Sequence, residues 1–260
     1  MTEFQEKAII TGREELASGV IRIALRSPRI AAEALPGQFV MTRVGDGLDP
    51  LLRRPFSIHH ADNGETISLL FKVVGKGTRL LAGLRPGDTL DLLGPLGKGF
   101  SLDPDTPFCL IGGGMGIAPL FFLAAWFRRE GRPTSQPVLL GAQTQAELLV
   151  LAEEFTELGY PVLTATDDGS LGHAGLVTDL LDEILKQVGL VYVCGPMPMM
   201  RTVAAKCRSA HIACQVSLET HMACGLGACL GCTVPAAGGG YIHVCREGPV
   251  LPAGEVAWTL

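Results

Sequence analysis

Four cysteines in the last fifth of the chain carry the plainest chemical signal: Cys224-x4-Cys229-x2-Cys232-x12-Cys245. The x4-then-x2 spacing with a distant fourth thiolate is that of a plant-type [2Fe–2S] ligand set. Gly225, Gly227 and Gly231 are interleaved with the sulfurs, where a loop wrapped over a cluster needs positive φ and close backbone N–H groups. Soft thiolates also suit zinc, and a four-cysteine zinc site is the alternative. Zinc sites show two short C-x2–4-C pairs, whereas this chain has a triplet and a distant single. The spacing favours iron–sulfur. His59, His60, His221 and His243 are read as surface residues or as groups outside the ligand set. A Rieske centre would need two histidines in place of two cysteines, and four suitably spaced cysteines are present.

Two further stretches have the makings of a ligand site. In Arg54-Pro55-Phe56-Ser57, the guanidinium is a planar fork for a phosphate, Pro55 fixes the backbone, and Ser57 offers a neutral hydrogen bond to a ring edge. In Gly75-Lys76-Gly77-Thr78, two glycines precede a short helix expected from Thr78 to Leu84, which makes a cradle for an anion. Either could be an ordinary strand edge or turn; side by side on one domain they point to a phosphate-bearing ligand.

These residues need elements to hold them. Residues 1–100 read as a small antiparallel β-barrel, with EFQEKAII, GVIRIAL, GQFVMTRV, PFSIHHA and ISLLFKVV as strands. Gly12, Pro36-Gly37, Asn63-Gly64 and Pro86-Gly87 supply the turn signals between them. Residues 101–216 alternate strand and helix, which implies a doubly wound parallel sheet with ligands at the strands' C-terminal ends. Within it, the segment from Gly175 to Val188 has apolar positions at helical spacing. Residues 217–260 form a small cluster-bearing loop domain. The class is therefore α/β plus all-β.

The turn Gly112-Gly113-Gly114-Met115-Gly116 stands where such a sheet binds a dinucleotide. It is not a G-x-G-x-x-G fingerprint, because Ile117 occupies the required third glycine. Tight strand–helix packing is the alternative use of these glycines. Thr166-Asp167-Asp168-Gly169 and Cys194-Gly195-Pro196 mark two more strand ends, and three such ends on one sheet favour a binding crevice.

Composition sets limits. With 47% hydrophobic and 18% charged residues, the 260-residue chain can bury sizeable cores. A net charge of −5 argues against nucleic acid as a partner. The uncharged run from Thr106 to Phe127 is long enough to span a bilayer, but three successive glycines and Pro119 break it into strand, turn and helix. No membrane association is expected. Eight cysteines without an export-type start indicate a reducing compartment, the cytoplasm. Cys109, Cys207 and Cys214 lie outside the cluster spacing and read as small buried hydrophobes.

Barrel, dinucleotide sheet and iron–sulfur tail, in this order, resemble the ferredoxin–NADP reductase superfamily. Within it the chain is most similar to the electron-transfer subunits of NAD-dependent (class 1B) dihydroorotate dehydrogenases. The resemblance rests on RPFS (54–57), GKGT (75–78), GPLGKGF (94–100), GGGMGIAPL (112–120), TDDGSLGHAGLVT (166–178), CGP (194–196), SLETHMACGLGACLGC (217–232) and HVCREGPV (243–250). It implies that Arg54, Pro55, Phe56, Ser57, Leu70, Phe71, Lys72, Gly77 and Thr78 contact FAD. It implies that Gly112, Gly113, Gly114, Gly116, Asp168, Cys194, Gly195 and Pro196 line an NAD(H) crevice, and that Cys224, Cys229, Cys232 and Cys245 hold one [2Fe–2S] cluster. No catalytic side chain is implied on this chain. The implied partner is an FMN-containing dihydroorotate dehydrogenase catalytic subunit, two of each chain forming a heterotetramer that serves pyrimidine (UMP) biosynthesis. Gln143 stands where many relatives have arginine, which puts a nucleotide role for that position in question. A nicotinamide exchanges two electrons at once and a [2Fe–2S] cluster one, so a flavin must stand between them. Two alternatives share the architecture: the flavin/iron–sulfur subunit of a hydrogenase and that of an NADH-dependent ferredoxin–NADP oxidoreductase. A zinc-stabilised nucleotide-binding module is the non-enzyme alternative.

Overall fold

The computed structural model describes residues 2–45, 47–62, 64–103 and 105–258. Six strands, β1 (Phe4–Ala17), β2 (Val20–Arg26), β3 (Phe39–Arg43), β4 (Arg54–Ala61), β5 (Thr66–Lys72) and β6 (Thr89–Leu96), close in the order β1-β2-β5-β4-β3-β6. Every pairing is antiparallel. Period-two alternation sends Ile21, Ile23 and Leu25 of β2, Ile67 and Leu69 of β5, and Leu90 and Leu92 of β6 into one buried core. Helix α1 (Pro28–Glu33) adds Ile30 and Ala31 to that core, and α2 (Lys76–Ala82) adds Leu81.

Two local expectations are corrected here. Gly12 does not end a strand; it lies inside β1 at a register shift against β2, the usual use of a strand glycine. The closing strand β6 is absent from the runs anticipated above, because Gly94 and Pro95 at its end read as breakers. Of the turn signals, Asn63 lies outside the described residues.

The second half builds β7 (Phe108–Gly113), α3 (Ile117–Arg129), β8 (Val138–Ala142), α4 (Gln145–Glu157), β9 (Val162–Thr166), β10 (His173–Ala174), α5 (Leu181–Ile184), β11 (Leu190–Cys194), α6 (Met197–Ala210) and β12 (Ala213–Ser217). The cysteine segment follows with β13 (Thr233–Pro235), β14 (Tyr241–His243), α7 (Val244–Glu247) and β15 (Val250–Pro252). The sheet runs β10-β9-β8-β7-β11-β12-β15, parallel except for β15, which lies antiparallel on β12. Alternation splits it into two cores. Cys109, Ile111, Leu139, Val191 and Val193 face α6 and the cysteine segment, while Leu110, Val138, Leu140 and Tyr192 face α3 and α4. The expected helix from Gly175 to Val188 is instead a 3-10 turn, Val177–Leu180, running into the single-turn α5. Its apolar positions Val177, Leu181, Leu185 and Val188 are buried as anticipated. Val177 is pressed onto β8 so closely that a Cβ on Gly141 would lie 2.8 Å from the valine Cβ. Among the described residues, no helix is long and apolar enough to cross a membrane.

Polar contacts stitch barrel to sheet. Glu154 of α4 bridges Arg22 of β2, and its other oxygen stands 3.6 Å from Nε2 of the buried His59. The Nδ1 of His59 is 3.3 Å from the carbonyl of Ala118 on α3, and the ring stacks on Phe121 at 4.7 Å. The cysteine segment is tied to both units. Leu218 N–H donates to the carbonyl of Pro249 (2.9 Å), Lys98 N–H donates to that of Gly248 (2.6 Å), and β15 extends the sheet.

Candidate functional site

The loop 224–232 has no regular structure, and backbone N–H groups supply its order. Leu226 N–H donates to Sγ of Cys224 (3.3 Å), Gly227 N–H to Cys245 (3.1 Å), Gly231 N–H to Cys229 (3.5 Å) and Cys245 N–H to Cys232 (3.4 Å). Each of the four sulfurs thus accepts a backbone donor, the environment a thiolate needs. The sulfurs lie near enough to influence one another: Cys229 acts on Cys224, and Cys232 and Cys224 both act on Cys245. Among the described residues, no three or more His, Cys, Asp or Glu groups converge tightly enough for a single ion. A binuclear core takes four cysteines in total. Burial pushes the Cys224 thiol upward, but donors from Leu226, Cys229 and Ala228 outweigh it and bring the group down to about 6. Burial and the neighbouring Cys232 push Cys245 up to about 12.

Gly225 and Gly227 take the positive φ expected of them, at 73° and 79°, and a Cβ on Gly225 would sit 2.5 Å from Cγ of Met41 on β3. The loop is therefore pressed onto the barrel wall. Gly231 needs no positive φ; Leu230 instead adopts the left-handed region, at 58°. Cys232 and Cys245 are buried, Cys224 is half-buried, and Cys229 is exposed. His221 is exposed, and Nδ1 of His243 lies 3.2 Å from Glu247, away from the sulfurs' own contacts.

A cavity of about 340 Å³ opens between β4, β5, the turn after β7 and the segment leading to Cys224. Pro55, Phe56, Ser57, Leu70, Phe71, Lys72 and Thr78 line it. Arg54 and Gly77 stand together just outside the lining, where a Cβ on Gly77 would lie 3.2 Å from Nε of Arg54. Glycine lets the guanidinium stem lie flat on the start of α2. Thr78 Oγ1 accepts the N–H groups of Val74 (2.9 Å) and Gly75 (3.0 Å), which fixes the cradle. The far wall, Leu218 to Thr220 and Met222, lies inside the motif at 217–232, but the resemblance implies no ligand contact for any of these residues. Thr220 Oγ1 is buried without a hydrogen-bond partner, and an unpaired buried hydroxyl fits a wall that a polar ligand completes. Glu219 reaches the cavity surface but is hemmed in by protein, and this desolvation raises its carboxyl above the ordinary range. An extended flavin with a polar ring edge fits this wall.

A second cavity, of about 450 Å³, lies over the C-terminal ends of the sheet strands. Gly113, Gly114 and Pro196 line it, together with Met115, Gln143, Glu147, Asp167 and Met199. Gly114 takes φ +53°, and a Cβ there would meet nothing within 4 Å, so its backbone is open to a ligand. Gly112 and Gly116 sit beneath, as packing glycines. A Cβ on Gly116 would fall 2.4 Å from the carbonyl of Cys194. Cys194 is fully buried, which holds its thiol well above the ordinary range, and Gly195 adjoins Gly113. Asp168 lies one residue beyond the lining, its carboxylate held by Ser170 N–H (3.0 Å) and hydroxyl (2.5 Å); Asp167 takes the wall. Gln143, left in question above, is part of that wall. Lys72 and Met115 border both cavities, and Lys72 Nζ pairs with Glu147 at 2.7 Å. Ligands in the two cavities would meet at these residues.

Three family models match the chain in succession. Residues 7–100 match an oxidoreductase FAD-binding domain and 110–205 an oxidoreductase NAD-binding domain. Residues 219–257 match the iron–sulfur cluster binding domain of dihydroorotate dehydrogenase B. The chain is 41% identical over 239 residues to the dihydroorotate dehydrogenase B (NAD(+)) electron transfer subunit of Desulforamulus reducens, covering 89% of this chain and 90% of that one. It is 39% identical over 258 residues to the corresponding subunit of Geobacillus kaustophilus, covering 97% and 98%. A solved structure of an NADH-dependent reduced ferredoxin–NADP oxidoreductase superposes with a TM-score of 0.86 at 32% identity, over 96% of this chain and 90% of that one. A ferredoxin NADP+ reductase from Neisseria gonorrhoeae shares the fold, with a TM-score of 0.67 at 18% identity over 79% of this chain and 91% of that one.

Proposed function

The chain belongs to the family of dihydroorotate dehydrogenase B electron-transfer subunits, and on that premise we propose how its residues serve transfer between NAD and a dihydroorotate-oxidising partner in pyrimidine biosynthesis. When bound, FAD exchanges electron pairs with a nicotinamide and single electrons with a [2Fe–2S] cluster. The chain's own task is to place, orient and insulate these groups. Three units share it: residues 1–100 for FAD, 101–216 for NAD(H) and 217–260 for the cluster.

Arg54, Gly77 and Thr78 hold the flavin's pyrophosphate, while Pro55, Phe56, Ser57, Leu70, Phe71 and Lys72 hold the rest of that ligand. Gly113, Gly114 and Pro196 receive NAD(H) directly. Gly112, Gly116, Cys194 and Gly195 shape that crevice from below, and Asp168 sets the loop that presents Asp167. Cys224, Cys229, Cys232 and Cys245 would hold the cluster. The observation that carries this reading is the wall from Leu218 to Met222. It borders the flavin cavity and leads within two residues to Cys224, so flavin and cluster sites adjoin along one stretch of backbone.

The exposed Cys229, flanked by exposed Leu226 and Leu230, forms the port to the partner. The partner is an FMN-containing catalytic subunit in a heterotetramer with two copies of each chain, working in the cytoplasm. The test is co-purification from the native source with analysis for iron, acid-labile sulfide, FAD and FMN. Recovery with a dihydroorotate-oxidising flavoprotein, two irons and two sulfides per copy of this chain is the expected result. A colourless chain with one zinc, or a hydrogenase subunit as partner, would refute it.

A further inference from the structure

Three cysteines outside the cluster loop converge under α6. In the parallel register, Val191 of β11 faces Cys109 on one neighbouring strand and Cys214 on the other, so all three sit in one row on the sheet. Cys207, from the last turn of α6, packs onto this row in the same buried core. Cys109 and Cys207 are fully buried, but Cys214 is half-buried. Cys207 and Cys214 both line an open cavity of about 730 Å³, which also includes Lys98, Arg208 and Trp258. Cys207 and Cys214 share that cavity wall and the core beneath it, and the neighbouring Cys214 draws the Cys207 thiol downward against its burial. The connecting chain is short and sharply turned. Ile212 N–H donates to the carbonyl of Cys207 (2.9 Å), and His211 adopts left-handed φ.

We propose that Cys207 and Cys214 form a reversible dithiol–disulfide switch, closed by a peroxide and opened by a small thiol, that pins the end of α6 to β12. In the first step one thiol of the pair, as its thiolate, attacks one peroxide oxygen; the O–O bond breaks, the departing hydroxide leaves as water with that thiol's proton, and a sulfenic acid remains. The second thiol then displaces the sulfenic hydroxyl, which departs as a second water with that thiol's proton. Two thiols and one hydrogen peroxide become one disulfide and two waters, with the two electrons ending on the peroxide oxygens. Reduction by two small thiols returns both protons and releases their mixed product as a disulfide.

The position of this pair gives the switch a reach. Helix α6 starts at the sheet's nucleotide cavity, where Met199 and Thr202 line the wall, and carries Cys207 in its last turn. Fastening its last turn shifts a rod whose other end borders that cavity.

The test uses the intact protein with its cofactors, given one equivalent of hydrogen peroxide, blocked with N-ethylmaleimide and digested with trypsin without reduction. The dipeptide 207–208 should appear joined to peptide 209–246, with fragmentation placing the bond at Cys214 and dithiothreitol removing it. In parallel, the KM for NADH in dye reduction should rise at least twofold and recover with dithiothreitol. Cys214→Ser, with Cys214→Ala as a second variant, should show neither change. Absence of the 207–214 bond overturns the switch. A KM shift that persists in both variants, or a bond that forms without one, overturns its link to the cavity. The KM readout rests on assigning that cavity to NAD(H); the bond does not.

Discussion

Arg54 shows how far a single residue can be read from its type. A planar guanidinium before a proline suggested a phosphate contact, and the folded chain sets its stem against Gly77, at the head of α2. Among the described residues, the side chain otherwise donates to backbone carbonyls, those of Leu52 and Arg53. Arg54→Ala should therefore leave the barrel folded but remove a charge-assisted contact to FAD. Such a contact is worth about 2 kcal/mol, or roughly thirtyfold in affinity. Measured flavin content after gel filtration checks this, and full retention at low protein concentration would count against a pyrophosphate role. Other residues were legible for similar reasons: the cysteine spacing is set by the size of what the sulfurs surround. Thr220 and Glu219 were not, because a hydroxyl or carboxylate at a strand end gains meaning only when another domain closes a cavity over it. Asp167 and Asp168 could not be told apart in sequence, since which of two neighbours faces inward depends on one peptide's rotation.

At the scale of elements, hydrophobic period carried most of the fold. Five of the six barrel strands and α6 follow from alternation or helical spacing, whereas α5 does not. The apolar spacing from Val177 to Val188 states which side is buried but not how tightly the backbone is wound, and contact with Gly141 of β8 decides that. The seam between barrel and sheet was also illegible, because Arg22, His59 and Glu154 lie far apart in the chain. Glu154 is mostly buried, and burial alone would raise its carboxyl; His59 and Arg22 outweigh this and hold it below the ordinary glutamate range. A depressed carboxyl contributes stability above its unfolded value and loses it as pH falls through the folded value. The seam should therefore be intact at neutral pH and fail on acidification, from the ordinary glutamate range downward. Glu154→Gln should cost about 2 kcal/mol at pH 7, less than for a fully buried pair because Arg22 is 28% exposed. Denaturant melts at pH 7 and at pH 3 test it: the variant's deficit should shrink at the lower pH. A deficit that is the same at both would show that packing, not charge, holds the seam.

For the whole molecule, the order of parts is the argument. The nucleotide cavity meets the flavin cavity at Lys72 and Met115, and the flavin cavity meets the cysteine loop through Met222. Among the described residues, no wall residue of the nucleotide cavity belongs to the cysteine loop, which supports a flavin site between them. That order separates two activities. Reduction of a dye by NADH needs only the first two sites, whereas delivery to the partner needs the third. Cys229 is exposed and, on the proposed assignment, a ligand; among the described residues its sulfur accepts the Gly231 N–H, so replacing it disturbs neither the barrel nor the sheet. Cys229→Ser should abolish NADH formation from dihydroorotate in the reconstituted complex while keeping most of the NADH-to-dye rate and a full complement of FAD. Iron analysis and the visible spectrum would report loss of the cluster in the same sample. Loss of both activities with FAD retained would place the cysteine loop before the flavin, and the sequence of sites drawn from the shared cavity walls would have to be abandoned.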